Sequence, residues 1–155
     1  MKGRRIAFAG PGVRDAEAAR REIVRVRLAE ALVRAGALEH GGARELHDLR
    51  IACKRLRYAL ELHRDALPAA VQGAERLLAG LQDLLGELHD CDVLLAHAER
   101  IDVTIAARVI GRDRRLLLGR ARRLWREAFA ERGDLTGLAA YAGFGSPQGP
   151  GGSAP

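Results

Sequence analysis

Aromatic side chains are scarce in this sequence, at 4% of 155 residues, and β-branched residues are few. No stretch alternates apolar and polar positions long enough to make a half-buried strand. These absences set aside sheet-based folds and leave a chain rich in Ala, Leu and Arg, which is helix-former usage. Lysine is nearly missing, with Lys2 and Lys54 alone, so arginine carries almost all the positive charge. Coding bias is one source of that preference; selection for forked donors that grip phosphate or carboxylate is the other. The 2 cysteines, Cys53 and Cys91, form no CxxC set and read as small buried groups in a reducing compartment. No apolar run approaches the roughly 18 residues of a membrane span. The opening MKGRRIAFAGPG has an apolar stretch shorter than the roughly 7–15 residues of a signal peptide. A soluble, cytoplasmic protein is expected. The formal net charge of +6 favours a polyanionic partner.

Residues 1–12 end in the breakers Gly10-Pro11-Gly12 and read as a flexible arm. A first helix is expected from Val13 to about Ala35, with Ile23, Val26 and Val33, or Val24, Leu28 and Leu32, at helical spacing. A second runs from about Ala43 to Ala66, with Leu46, Leu49, Cys53, Leu56, Leu60 and Leu67 on its apolar face. A third runs from Pro68 to Arg100 on a leucine stripe, with Gly73, Gly80 and Gly86 as points of close helix contact. Asp102 reads as the N-cap of a fourth helix ending near Arg132-Gly133, lined by Ile105, Val109, Leu116, Leu117, Leu124 and Ala128. A short turn is expected around Leu135–Tyr141, and a disordered Gly/Pro-rich tail from Ser146. The expected fold is therefore all-α: an antiparallel four-helix bundle over residues 13–132, with residues 133–155 as turn and tail.

The second helix carries the clearest pattern. His47, Arg50, Lys54 and Arg57 fall within about 80° of one another on a 3.6-residue helix, opposite Leu49, Leu56 and Leu60. Neighbouring rungs of this comb stand about 5–6 Å apart, which suits an extended polyanion better than one small acid. Most charged helix stripes are no more than solvated faces. Here Glu61 is the one interspersed acid, and a second apolar strip, Ile51, Tyr58 and Leu62, runs beside the comb. A purely solvated face has no use for such a strip, so a neighbouring helix or a second subunit is expected there. Arginines recur on other helices: Arg20, Arg27 and Arg34 on the first, Arg108, Arg112, Arg115, Arg122 and Arg126 on the fourth. If these stripes converge, the bundle carries a basic groove.

Residues 47–58, HDLRIACKRLRY, resemble the HxxRxxxKRLRY signature of the CHAD domain, the conserved histidine α-helical domain. Residues 81–93, LQDLLGELHDCDV, resemble that family's LQDLLGxLxDxxV segment, in the right order and at the right separation. The resemblance covers roughly residues 13–130. It implies a cytoplasmic helical module, at polyphosphate granules, that binds inorganic polyphosphate through a basic surface without catalysis, cofactor or metal. It carries the anion-binding role to His47, Arg50, Lys54, Arg55 and Arg57. The arginine stripes add Arg20, Arg27, Arg112, Arg115 and Arg122. The family usually has two such four-helix units in one chain, whereas the motif pair occurs once here, so the chain either binds as a lone unit or forms a homodimer that supplies the second, and the apolar strip Ile51, Tyr58 and Leu62 favours the homodimer.

The tetrad ELHD occurs at residues 45–48 and again at 87–90. A metal centre built from Glu45, His47, Glu87, His89 and Asp90 is disfavoured, because residues two apart on a helix point in different directions. A phosphotransfer role for His47 lacks the HxxKG context. No GxxxxGK[ST] loop or ExExK triphosphatase signature offers hydrolytic machinery. Binding of a nucleic-acid backbone by the same comb is the main alternative, weakened by the few aromatic rings available to stack on bases. In the second tetrad, Asp90 and Asp92 extend an acidic run from Glu87, expected to brace basic neighbours such as Arg55.

Overall fold

A computed structural model describes residues 16–130 and 133–144 and is helical throughout, with no strand among the described residues. The helices are α1 (Ala16–Arg34), α2 (Ala37–His40), α3 (Ala43–Leu62), α4 (Gln72–Arg100), α5 (Thr104–Ala128) and α6 (Asp134–Tyr141). Helix α1 packs on α3, α3 on α4 and α4 on α5, which makes the expected bundle of long helices. Antiparallel register follows from cross-links between neighbours. Arg20, early in α1, donates to the Ala66 carbonyl beyond the end of α3 at 3.3 Å. Arg55 of α3 donates to Glu30 of α1 at 2.6 Å, and Arg114 of α5 to Asp92 of α4 at 2.5 Å. The expected N-terminal arm and Gly/Pro-rich tail lie outside the described residues.

Leucine fills the core, as the periodicity requires. Leu28, Leu49, Leu56, Leu78, Leu81 and Leu88 are fully buried, and no polar or charged residue is buried among those described. Helix α3 buries the whole predicted face, Leu46, Leu49, Cys53, Leu56 and Leu60, with Leu67 following in the loop. On α1 the buried set is Val24, Leu28 and Ala31; Ile23, Val26 and Val33 are exposed. On α5 the expected face is split. Leu117 and Ala128 are buried, but Ile105 and Val109 are exposed, because the core ends before it reaches the first turns of that helix, and Leu116 is exposed because it points to the side of α5 away from the core.

Boundaries shift for local reasons. Helix α3 stops at Leu62 and continues as a 3₁₀ turn, Arg64–Ala66, because Leu67 must be extended before Pro68. A second 3₁₀ turn, Ala69–Val71, precedes α4, which starts at Gln72 rather than at Pro68. Asp102 closes α4 instead of opening α5: its φ is 56°, and the following Val103 N–H reaches the Ala98 carbonyl at 3.0 Å. That is the left-handed closure usual at helix C-termini. The segment expected as a short turn is the eight-residue α6, whose Leu135 and Leu138 join the main core.

Helix α2 is an unanticipated corner between α1 and α3. Gly41 ends it at φ 71°, and a Cβ there would stand 2.9 Å from a Leu118 methyl. Arginines of α5 clamp the corner. Arg114 donates to the Gly41 carbonyl at 2.6 Å, and Arg122 to the Leu38 and Glu39 carbonyls at 2.5 and 2.8 Å. Arg126 reaches the Glu39 carboxylate at 3.1 Å.

Candidate anion-binding surface

Because Leu49, Leu56 and Leu60 turn inward, helical geometry turns Arg50, Lys54 and Arg57 on α3 away from the core, while His47 is half-buried against α4. Lys54 is exposed, and Arg50 and Arg57 are half-buried. Neither Arg50 nor Lys54 has a carboxylate partner among the described residues, so their donors face solvent. Arg57 donates to Glu61 one turn on, at 2.7 Å.

Tyr58 explains part of the apolar strip. The Lys54 ammonium lies 5.5 Å and the Arg57 guanidinium 5.2 Å from its ring centroid. The ring's electron-rich faces attract both cations and hold neighbouring rungs in one place. Ile51 is half-buried and Leu62 is 79% exposed.

Arg55 leaves the comb and turns toward α1. Glu30 there accepts from Arg55 at 2.6 Å and Arg27 at 3.1 Å, with Arg34 at 4.0 Å. Burial pushes the Glu30 carboxyl up, but the hydrogen bonds and charges of Arg27 and Arg55 outweigh it and hold Glu30 below the usual carboxylate range. The brace expected from Asp90 is therefore supplied by Glu30, from a helix on the other side of α3. The acidic run of α4 does brace an arginine, through a different pair: Asp92 holds Arg114.

The two ELHD copies meet. The rings of His47 and His89 lie 5.3 Å apart, tilted by 44°. Nδ1 of His47 is buried without a protein partner, as is Nε of Arg57. The contact follows from antiparallel α3 and α4, which bring residues 47 and 89 level; the identical letters alone could not show it.

The remaining candidates are dispersed. Arg20 is half-buried at the far end of α1, against Ala66. Arg112 and Arg115 are exposed on α5, while the fork of Arg122 is taken by the α2 carbonyls. Helix α4 stands between α3 and α5, so the comb and the α5 stripe run along different edges.

What the comb offers is fixed cations. Burial pushes the Cys53 thiol up to about 12, so it is no thiolate at neutral pH. Burial first, then Asp113 and Asp92, raise Cys91 as well. Among the described residues no three His, Cys, Asp or Glu side chains are placed to hold a metal ion. Nor is any described helix long and apolar enough to cross a membrane. The sequence matches the CHAD domain family over residues 5–99, a span that takes in the comb and the second motif and stops before α5. No curated protein and no solved structure matches.

Proposed function

The chain belongs to the CHAD domain family, and from that premise we propose that it binds inorganic polyphosphate along the outer face of α3 without turning it over. The observation that carries this reading is the run His47, Arg50, Lys54 and Arg57, with Arg50 and Lys54 free of carboxylate partners. A polyphosphate presents one charge after another along a line, and a helix stripe presents donors about 5–6 Å apart along another. Arginine offers two parallel hydrogen bonds to phosphate oxygens, and lysine adds a point charge. His47 adds a ring N–H donor at one end of the run. Arg55 and Arg27 form a second rank, pre-positioned by Glu30 yet still exposed. Arg20, Arg112 and Arg115 serve as outlying contacts for a long chain. The reading places the protein in the cytoplasm, where polyphosphate granules occur, as a homodimer that doubles the basic surface.

Replacing Arg50, Lys54 and Arg57 together by Gln tests the proposal. The expected outcome is loss of retention on a polyphosphate column at physiological salt, with helix content unchanged by circular dichroism. Wild-type retention should fall steeply between about 50 and 200 mM salt, as counterion release requires. Equal retention by the triple variant would overturn the assignment. Release of free phosphate by the wild-type chain would overturn the non-catalytic part.

One observation favours a nucleic-acid backbone as an alternative: Tyr58 puts an exposed ring beside the comb, where a base could stack. Competition between long-chain polyphosphate and RNA at physiological salt separates the two, with polyphosphate expected to displace RNA.

A further inference from the structure

The outer side of the α4–α5 hairpin, facing away from α1 and α3, is apolar along its middle, acidic along its α4 edge and, apart from Asp113, basic along the α5 edge beside it. Between residues 92 and 116 Ala98 alone is buried, so the core does not use this stretch. Leu94 and Leu116, 53% and 58% exposed, line a depression of about 420 Å³ between the two helices, with Cys91 and Leu117 at its floor. Val109 continues the apolar line along α5. On the α4 edge stand Asp83, Glu87 and Asp90, all exposed and at helical spacing. On the α5 edge stand Arg120 and Arg123, also exposed, with one acid, Asp113, on the same rim nearer the start of the helix. Neither the three α4 acids nor the two arginines have a partner within the chain among the described residues, although Glu87 and Arg120 border the same depression.

We infer that this face is a self-complementary docking surface, and that its occupant is the same face of a second copy. The Asp92–Arg114 bridge sets the register of the hairpin, placing Glu87 about level with Arg120 and Asp83 about level with Arg123. A twofold axis parallel to the helices lays α4 of one protomer over α5 of the other. Glu87 then faces Arg120 of the partner subunit, and the reciprocal contact forms by symmetry. A twofold perpendicular to the helices would lay the acidic α4 edges on each other, so charge selects the first arrangement. The apolar middles close on one another as four antiparallel helices, covering the surface each monomer leaves wet. This deepens the homodimer part of the reading above by giving it a contact. It involves no residue of the α3 comb.

Sedimentation or light scattering of the full chain without polyphosphate tests it. The expected wild-type mass is twice 16.8 kDa. Leu94→Asp with Leu116→Asp should raise the dimer dissociation constant at least tenfold, with helix content retained. Glu87→Arg and Arg120→Glu should each weaken the dimer. Mixed in equal amounts, the two variants should restore a complex of twice the chain mass, which damage to folding could not do. A wild-type chain that stays monomeric at high micromolar concentration overturns the proposal, as does a dimer indifferent to the leucine or charge changes. Column retention on polyphosphate, run on the same variants, reports separately on the anion site.

Discussion

Single residues decide which arginines are free and which are fixed. Glu30 gathers Arg27, Arg34 and Arg55 and joins α1 to α3. Its carboxyl sits below the usual range in the folded state. Its stabilising contribution is therefore complete above the ordinary glutamate value near pH 4.3 and is lost as pH falls through the depressed folded value. Glu30→Gln is expected to cost up to about 1 kcal/mol at neutral pH, since its partners are half exposed. It should also flatten the loss of stability on acidification, measured by denaturant unfolding from about pH 6 down to pH 3. If the variant loses stability with acid as steeply as wild type, the pairing is immaterial. The comb was legible in the sequence because its residues lie on one helix, where spacing alone fixes a common face. Glu30 was not, because one helix's periodicity does not reveal which helix lies beside it. For the same reason the sequence pointed to Asp90 as the brace for Arg55.

At the scale of elements, length governed what could be read. Helices α1, α3, α4 and α5 span 19 to 29 residues and repeat their apolar positions several times. Helix α2 has 4 residues and α6 has 8, too few to establish a period. Their places are set by tertiary contacts: arginine forks on α2 carbonyls, and leucines of α6 in the core. Glycine distinguishes the two kinds of site. Gly41 has a left-handed backbone and a methyl beside its missing Cβ, whereas Gly86 lies mid-helix with nothing within 4 Å of that position. Gly41→Ala is expected to destabilise by about 1–2 kcal/mol. Gly86→Ala should stabilise by about 1 kcal/mol, by removing glycine's helix penalty. Thermal melts of the two variants should move in opposite directions, and shifts in the same direction would refute this account of the two positions.

The whole molecule is a leucine core wrapped in arginine. The family match ends at residue 99, yet the core draws on Leu117, Leu118, Leu135 and Leu138 beyond it. Helix α6 is thus integral to the bundle rather than part of a tail. Leu138→Ala should cost about 2–5 kcal/mol, as for other fully buried leucines. Chemical denaturation would show it, and a loss under about 1 kcal/mol would mean that α6 is dispensable. The all-helical class and the main leucine faces were plain in the sequence. The split face of α5 was not, because Ile105 and Val109 keep the helical spacing whether or not another layer covers them.

Lys54 sits at the centre of the comb, exposed, in a surface otherwise made cationic by guanidinium groups. The chain's other lysine, Lys2, lies outside the described residues. Acetylation neutralises amines and leaves arginine untouched. A lysine-directed modification therefore has a single address on the described surface, between Arg50 and Arg57, so one acyl group there would remove charge from the basic stripe of α3 and from nowhere else on that surface.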